Sequence, residues 1–398
     1  MKKILFVINT MGRAGAETAL IELLKKLNGP GWDISLYVIM GQGEMISQLP
    51  GGVRLLNTQF CDQSVLSKEG RRKLIKTVIF AFFRNGNLLK KAGYLWQTFL
   101  AMQKRGKLQT DKLLWRIVSD GAQRFDETFD LAVAWLEGGA AYYVAEHVKA
   151  ARKAAFIHID YESAGYTKAM DRGCWKQFDN IFAVSDEVKG HFQSFYPEYA
   201  SKVGVFHNFI NQEAIRSQAM EQGGFSDDFK GRRILTVGRL TYQKAYDIAV
   251  EAMKILKDAG YHARWYVLGE GEERKALEKK IAALGLQEDF LLLGAVTNPH
   301  PYYLQTDLYV HATRFEGKSI AIQEAQTLGC AVIASDCNGN REQITDGSDG
   351  MLCDLTPCAI AERIETLLKD EEKRKALGRA AKKKKIHQME NLQVLLGM

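Results

Sequence analysis

Residues 233–247 read RILTVGRLTYQKAYD. A β-branched run stops at a glycine, Arg239 and Lys244 follow, and a helical pattern resumes near Asp247. This is a strand, a charged turn and a helix start, and it opens a series. RILTVG (Arg233 to Gly238), ARWYVLG (Ala263 to Gly269), FLLLG (Phe290 to Gly294), DLYVHA (Asp307 to Ala312) and AVIAS (Ala331 to Ser335) recur with helical stretches among them. An earlier series runs through KILFVIN (Lys3 to Asn9), DISLYVIM (Asp33 to Met40), VRLLN, FDLAVAW (Phe129 to Trp135), KAAFIHI (Lys153 to Ile159) and NIFAVS (Asn180 to Ser185). Between the two lies a polar stretch without strand character, NFINQEAIRSQAMEQGGFSDDFKG. Continuous apolar strands alternating with helices predict parallel, doubly wound sheets. The expected organisation is an α/β chain of two Rossmann-like domains, 1–207 and 232–398, with 208–231 as linker and hinge, facing a central cleft.

Composition agrees with a globular chain of this size. The 398 residues are 46% hydrophobic and 25% charged with six prolines, too long for one ordinary core. The opening MKKILFVINTMG has the lysines of a signal peptide, but five apolar residues before Asn9 read as a buried strand. VIFAFF, Val78 to Phe83, falls far short of the ~20 residues needed to cross a bilayer. A cytoplasmic protein, or one peripheral on the inner membrane face, is expected. Six cysteines without a C-x-x-C pair read as reduced thiols rather than a disulfide framework or a zinc site.

Chemistry is expected at the carboxyl ends of the strands. Arg239 and Lys244 beside a helix start suit a phosphate, although two cations in a loop also fit a solvated surface. LGEGEERKAL, after the next strand, is half of a dinucleotide fingerprint; Gly269 and Gly271 read equally well as a tight turn. The stretch FEGKSIAIQE, Phe315 to Glu324, carries two acids eight residues apart. Gly317 permits a turn, Ser319 is an expected N-cap and Gly329 a natural stop. Glu324 would then lie ~5 residues inside a helix, roughly 7.5 Å along its axis, with Glu316 outside on the loop. Free N–H groups of Ser319 and Ile320 would meet phosphates between the two carboxylates, leaving the acids to sugar hydroxyls.

Together the pieces TVGRLTYQKAYD, VLGEGEERKALE, FEGKSIAIQEAQTLGCAVIASD and REQITDGSDGMLC resemble the retaining glycosyltransferases of the GT-B fold, the broad family 4 group related to glycogen synthase and sucrose synthase. They cover nearly all of Arg233 to Cys353; GRAGAETALIELLKKL and VFHNFIN match more loosely. The resemblance implies that Arg239 and Lys244 hold a donor diphosphate, that Glu324 binds the ribose and that Glu316 faces the transferred sugar. Gly15, in the loop after the first strand, would admit the donor, and His158 would lie near the reacting sugar. The remaining seven histidines are assigned no role. Lys318 and Ser319 stand where the family has Phe and Gly, and Ala245 where Gly follows Gln-Lys; Lys318 either adds a phosphate contact or points to solvent. The resemblance also implies retention at the anomeric carbon without a carboxylate nucleophile.

The implied reaction moves a sugar from a nucleotide-diphosphate sugar, with UDP-sugar the first expectation, to a saccharide or lipid-linked saccharide in surface polysaccharide or glycoconjugate synthesis. No D-x-D occurs, so no metal cofactor is expected. Of the net charge of +7, much falls in 68–116, with thirteen Lys or Arg against two acids, among VIFAFF, YLWQTFL and LLWRIV. That composition suits an anionic membrane surface as well as a helical insertion packed on the first domain. No nucleic-acid partner is expected, because no helix-turn-helix, RNA-binding or zinc signature accompanies the charge. The rivals are a sugar-nucleotide epimerase of the same fold and a non-catalytic nucleotide-sugar-binding subunit. An NAD dehydrogenase ranks last, for want of a complete G-x-G-x-x-G.

Overall fold

The computed structural model describes residues 1–65, 67–84, 88–104, 110–161, 164–384 and 392–397. The chain divides into two compact units, residues 1–209 with 388–398, and residues 210–387. The first is built on seven strands: β1 (Lys2–Ile8), β2 (Trp32–Val38), β3 (Val53–Leu55), β4 (Thr128–Ala134), β5 (Lys149–Ile157), β6 (Asn180–Ala183) and β7 (Val203–Val205). All pair in parallel, in the order β3-β2-β1-β4-β5-β6-β7. Ile4 to Ile8 are buried along their whole length, as a strand covered by helices on both faces requires. The order reverses between β1 and β4, which makes this the switch point of the sheet. There the Asn9 side chain ties the two strand ends together, accepting from Ala140 N–H at 2.7 Å and donating to the Glu137 carbonyl at 3.5 Å.

The basic segment is three helices between β3 and β4: Lys68–Phe83, Leu88–Lys104 and Thr110–Gly121, with 85–87 and 105–109 outside the described residues. It docks through polar contacts as well as apolar ones. The buried Lys91 ammonium donates to the carbonyls of Ala81, Phe82 and Arg84, closing the end of the first helix. Arg116 donates to the carbonyls of Met170 and Asp171, and the buried Asp171 carboxylate accepts from Tyr142, Tyr161, Tyr196 and Trp175. Such a fully partnered carboxylate fixes the surrounding elements in one arrangement. Ser67 caps the first helix at its start, accepting from Gly70 N–H at 2.9 Å. Leu74 and Val78 of that helix pack on the core, whereas Ile75, Ile79, Phe80 and Phe83 face outward.

The second unit carries β8 (Arg232–Val237), β9 (Ala263–Leu268), β10 (Phe290–Gly294), β11 (Leu308–His311), β12 (Val332–Ser335) and β13 (Met351–Cys353). These too are all parallel, in the order β10-β9-β8-β11-β12-β13. Helices such as Tyr246–Asp258 and Pro357–Lys369 bury their apolar stripes against this sheet. The polar stretch 208–231 holds no strand but does form a helix, Gln212–Ala219, capped by Asn211. That helix belongs to the second unit, where Gln212 reaches Thr327 and Asn298 reaches the Gln218 carbonyl. The short helix Leu392–Leu396 returns to the first unit, with Leu395 and Leu396 buried. Among the described residues, no helix is long and apolar enough to cross a membrane.

Candidate functional site

The carboxyl ends of β8, β9 and β11 bring the second unit's chemistry together. After β8 the chain turns through Gly238 and the exposed Arg239, and the turn after β9 is laid directly on it. Gly238 N–H donates to the Leu268 carbonyl at 3.0 Å, and Leu240 N–H to the Glu270 carbonyl at 2.9 Å. A Cβ on Gly269 would run into the Gly238 carbonyl, and one on Gly271 into that of Leu240. Close backbone packing therefore accounts for both glycines of the partial fingerprint.

Lys244 ends a short turn, Tyr242–Lys244, after which Ala245 adopts φ +48° before the helix Tyr246–Asp258. This left-handed conformation is one that glycine takes without strain, so Ala245 carries a backbone cost at the base of the site. The turn is fastened to the loop after β11: Gln243 donates to the Phe315 carbonyl at 2.8 Å, Arg314 N–H donates to the Gln243 carbonyl at 2.8 Å, and Arg314 pairs with Asp247 at 2.7 Å.

That fastening places the Lys244 ammonium directly on the Glu316 carboxylate. His311, the last residue of β11 and 1% exposed, closes the group, with Nε2 3.3 Å from Glu316 Oε2 and 3.4 Å from Lys244 Nζ. Its Nδ1 lies 3.1 Å from the Tyr309 hydroxyl. Burial by itself would raise the Glu316 carboxyl, but the Lys244 charge and the His311 contact outweigh it and hold the group at about 2. The imidazole is pushed down, first by burial and then by the Lys244 charge, against the pull of Glu316. At neutral pH the cluster is thus an ion pair beside a neutral histidine.

From this loop the helix Ile320–Leu328 sets out. Ser319 Oγ accepts from Ile322 N–H at 3.5 Å, and Gly329 at φ +81° ends the helix. Gly339 packs over the Gly317 backbone, its N–H donating to the Glu316 carbonyl at 3.3 Å. Lys318 is half-buried and Ile320 is buried at the first helical position. Glu324 lies in the second turn, accepting from the Tyr303 hydroxyl at 3.0 Å, with His300 Nε2 at 3.4 Å from its other oxygen. The His300 approach is not a well-aligned hydrogen bond, since neither ring nitrogen finds hydrogen-bonding geometry among the described residues. Glu316 and Glu324 therefore flank a helix start, one locked to a cation and one beside a phenol and an imidazole.

Two expected residues lie in the first unit. Gly15 is the first residue of the helix Gly15–Leu27 rather than part of the preceding loop, because the helical turn begins directly after Ala14. His158 follows β5; its N–H donates to Glu137 Oε2 at 3.0 Å, and its ring lies against Trp135. Burial pushes the imidazole down to about 3, partly opposed by a hydrogen bond with the Trp135 backbone, and Nε2 is enclosed without a partner. His158 is accordingly neutral, able to accept a hydrogen bond but not to serve as an acid.

The sequence reading missed His311, Tyr303 and His300. It gave weight to a histidine at the end of one strand, His158, and none to the others. His311 also ends a strand, four residues before the FEGKS loop, and that position is the signal that could have found it.

Residues 224–384 match the family model of glycosyl transferases group 1. An N-acetylgalactosaminyltransferase of Campylobacter jejuni that acts on an undecaprenol-linked saccharide is 23% identical over 390 residues, 96% of this chain and 94% of that one. The alpha-D-kanosaminyltransferase of Streptomyces kanamyceticus is 31% identical over 173 residues, 42% of this chain and 44% of the relative. The amylovoran biosynthesis glycosyltransferase AmsD of Erwinia amylovora is 30% identical over 213 residues, 52% and 58%. The chain spans about half the length of several of the curated relatives it matches. Among solved structures, Anabaena HepE in complex with UDP and glucose has a TM-score of 0.67 at 18% identity, covering 96% of this chain and 94% of that one. Staphylococcus aureus TarM has a TM-score of 0.65 at 12% identity, covering 96% of each chain. The chain is a protein of the GT-B fold, and residues 224–384, within its second unit, are similar to the group 1 glycosyl transferases.

Proposed function

We propose that the chain is a retaining glycosyltransferase that moves a sugar from a nucleotide-diphosphate sugar, a UDP-sugar in the first instance, to a saccharide or lipid-linked saccharide acceptor. The observation that carries this reading is the pair of carboxylates set on either side of one helix start, with Lys244 already in place against the first. Breaking the bond between sugar and phosphate builds negative charge on the departing diphosphate. Arg239, Lys244 and the free N–H groups at Ser319 and Ile320 are suited to stabilise it, with Lys318 at hand on the same loop and the Gly269 turn as the backbone beside the donor. Glu324 takes the ribose hydroxyls and Glu316 the sugar hydroxyls. Of the first-unit residues, Gly15 and the neutral His158 are the ones proposed to serve the transferred sugar. A phosphate oxygen of the leaving group takes the acceptor proton on the same face, so the scheme needs neither a carboxylate nucleophile nor a metal ion.

The names of the relatives support the acceptor class. The undecaprenol-linked acceptor of the Campylobacter enzyme and the capsular polysaccharide biosynthesis of Staphylococcus aureus CapM are of the kinds proposed here, and UDP in HepE supports the donor. An acceptor on a lipid carrier would place the chain on the inner membrane face. The outer side of the helix Lys68–Phe83 supports this: Phe80 and Phe83 are 64% and 65% exposed beside Arg72, Lys76 and Arg84.

The test is transfer from UDP-sugars to short saccharide and lipid-linked acceptors in the presence of EDTA, with the product anomer read by proton NMR. Retained configuration and undiminished rate in EDTA are expected. An inverted product refutes retention, and a rate abolished by EDTA refutes metal independence. Interconversion of the donor sugar without acceptor identifies an epimerase instead, and donor binding without turnover on any acceptor identifies a non-catalytic subunit.

A further inference from the structure

His311 raises a question that the donor-site reading leaves open. Lys244 is assigned to a diphosphate, yet its ammonium rests on Glu316. For a diphosphate to take Lys244, that contact must loosen, and Glu316 would be left as a carboxylate whose side chain is only 14% exposed. A buried charge stripped of its partner is strongly destabilised, so a donor site built from Lys244 and Glu316 alone would resist its own ligand. The carboxylate needs a second donor that stays behind.

We propose that His311 is the positioning residue that supplies this donor, holding Glu316 in place when the diphosphate draws Lys244 away. Its ring spans two fixed points, the Tyr309 hydroxyl at 3.1 Å from Nδ1 and Glu316 Oε2 at 3.3 Å from Nε2. Tyr309 is fully buried and keeps its proton, its hydroxyl raised well above the usual range, chiefly by burial. The hydroxyl has two acceptors in reach, His311 Nδ1 at 3.1 Å and the Val237 carbonyl at 3.5 Å; in the proposed arrangement it donates to the nearer, Nδ1, which puts the single N–H of the neutral imidazole on Nε2, toward Glu316. A lysine, as a flexible point charge, can swing between anions, whereas this ring is fixed by β11 and by Tyr309. Diphosphate binding and sugar recognition are thereby coupled: as Lys244 leaves, one oxygen of Glu316 stays on His311 and the remaining acceptor sites open to sugar hydroxyls.

The inference rests on the donor-site reading, and one calorimetric experiment separates the two. UDP is titrated into the full chain, into His311→Leu, His311→Gln and Glu316→Gln, and into the double variant His311→Leu/Glu316→Gln, with the melting temperature of each recorded. His311→Leu should weaken UDP binding by about tenfold or more, the scale of a lost hydrogen bond to a charged group. Glu316→Gln in that background should restore most of the affinity, because no stranded charge remains, and His311→Gln should keep much of it through its amide N–H. Unchanged affinity in His311→Leu overturns the inference. So does a loss that the second substitution fails to repair, since that is the pattern of general damage to the fold. Absence of binding by the unmodified chain to UDP, GDP and ADP alike refutes the donor site itself.

Discussion

Replacing Lys244 by methionine removes the charge that holds Glu316 ionised while preserving most of the side-chain volume. The Glu316 carboxyl lies at about 2 against its ordinary value of 4.5. At 1.36 kcal/mol per unit this corresponds to ~3 kcal/mol of stability at neutral pH, in line with the roughly 3–5 kcal/mol cost of breaking a buried pair. Both side chains are 14% exposed, so little of this is lost to solvent screening. The sign follows from protonation. In the unmodified chain the contribution is complete above pH 4.5 and disappears as pH falls toward 2. In Lys244→Met the largest opposition to burial is lost and most of this contribution goes with it. Urea unfolding at pH 7 and pH 3, followed by the fluorescence of the second unit's buried Trp265, should give a difference of ~3 kcal/mol at the higher pH that narrows at the lower. A difference below about 1 kcal/mol, or one independent of pH, would refute the account of this cluster.

Three further outcomes are expected. His158 is held down at about 3 by burial, so its contribution to stability is complete above its ordinary value of 6.5 and declines as pH falls toward 3; His158→Gln should flatten the loss of first-unit stability between pH 6.5 and 4, seen by circular dichroism. Gly269→Ala should lower the melting temperature and weaken nucleotide binding together, because its Cβ meets the Gly238 carbonyl beneath Arg239; a variant as stable as the parent contradicts the close packing of the two turns. Phe80→Ser/Phe83→Ser should abolish co-flotation with vesicles containing anionic phosphatidylglycerol while leaving the melting temperature within about 2 °C, as exposed positions do; undiminished flotation would remove this helix from the membrane reading.

Much of this molecule is legible in the sequence because strands buried on both faces leave continuous apolar runs. FLLLG coincides with β10, and the first run, Lys3 to Asn9, is displaced by one residue from β1. The strands that escaped are Val203–Val205 and Met351–Cys353, three residues each at the sheet edges, too short to carry a pattern. The start of β5 at Lys149 was hidden by charged residues, since KAARK has no apolar periodicity and owes its conformation to pairing with β4. At the site, Ser319 and Gly329 announced the helix between them by local backbone chemistry, and Glu324 fell inside it as counted. The Lys244–Glu316–His311 cluster was not legible as a whole, because Lys244 lies 72 residues from Glu316 and meets it only through the adjacency of β8 and β11. Tyr303 was hidden for the same reason, as it reaches Glu324 from the neighbouring helix His300–Gln305.

The central claim is that a nucleoside diphosphate rests on this helix start between Glu316 and Glu324. It is tested most directly by thermal shift with UDP, GDP, ADP and their sugar conjugates, with and without Mg²⁺, on the unmodified chain and on Glu324→Ala. A ligand that binds only the folded state raises the melting temperature in proportion to its affinity. The account predicts stabilisation by one diphosphate family, UDP first, independent of Mg²⁺ and reduced in Glu324→Ala. Stabilisation by none of them, or an equal shift in the variant, would contradict it.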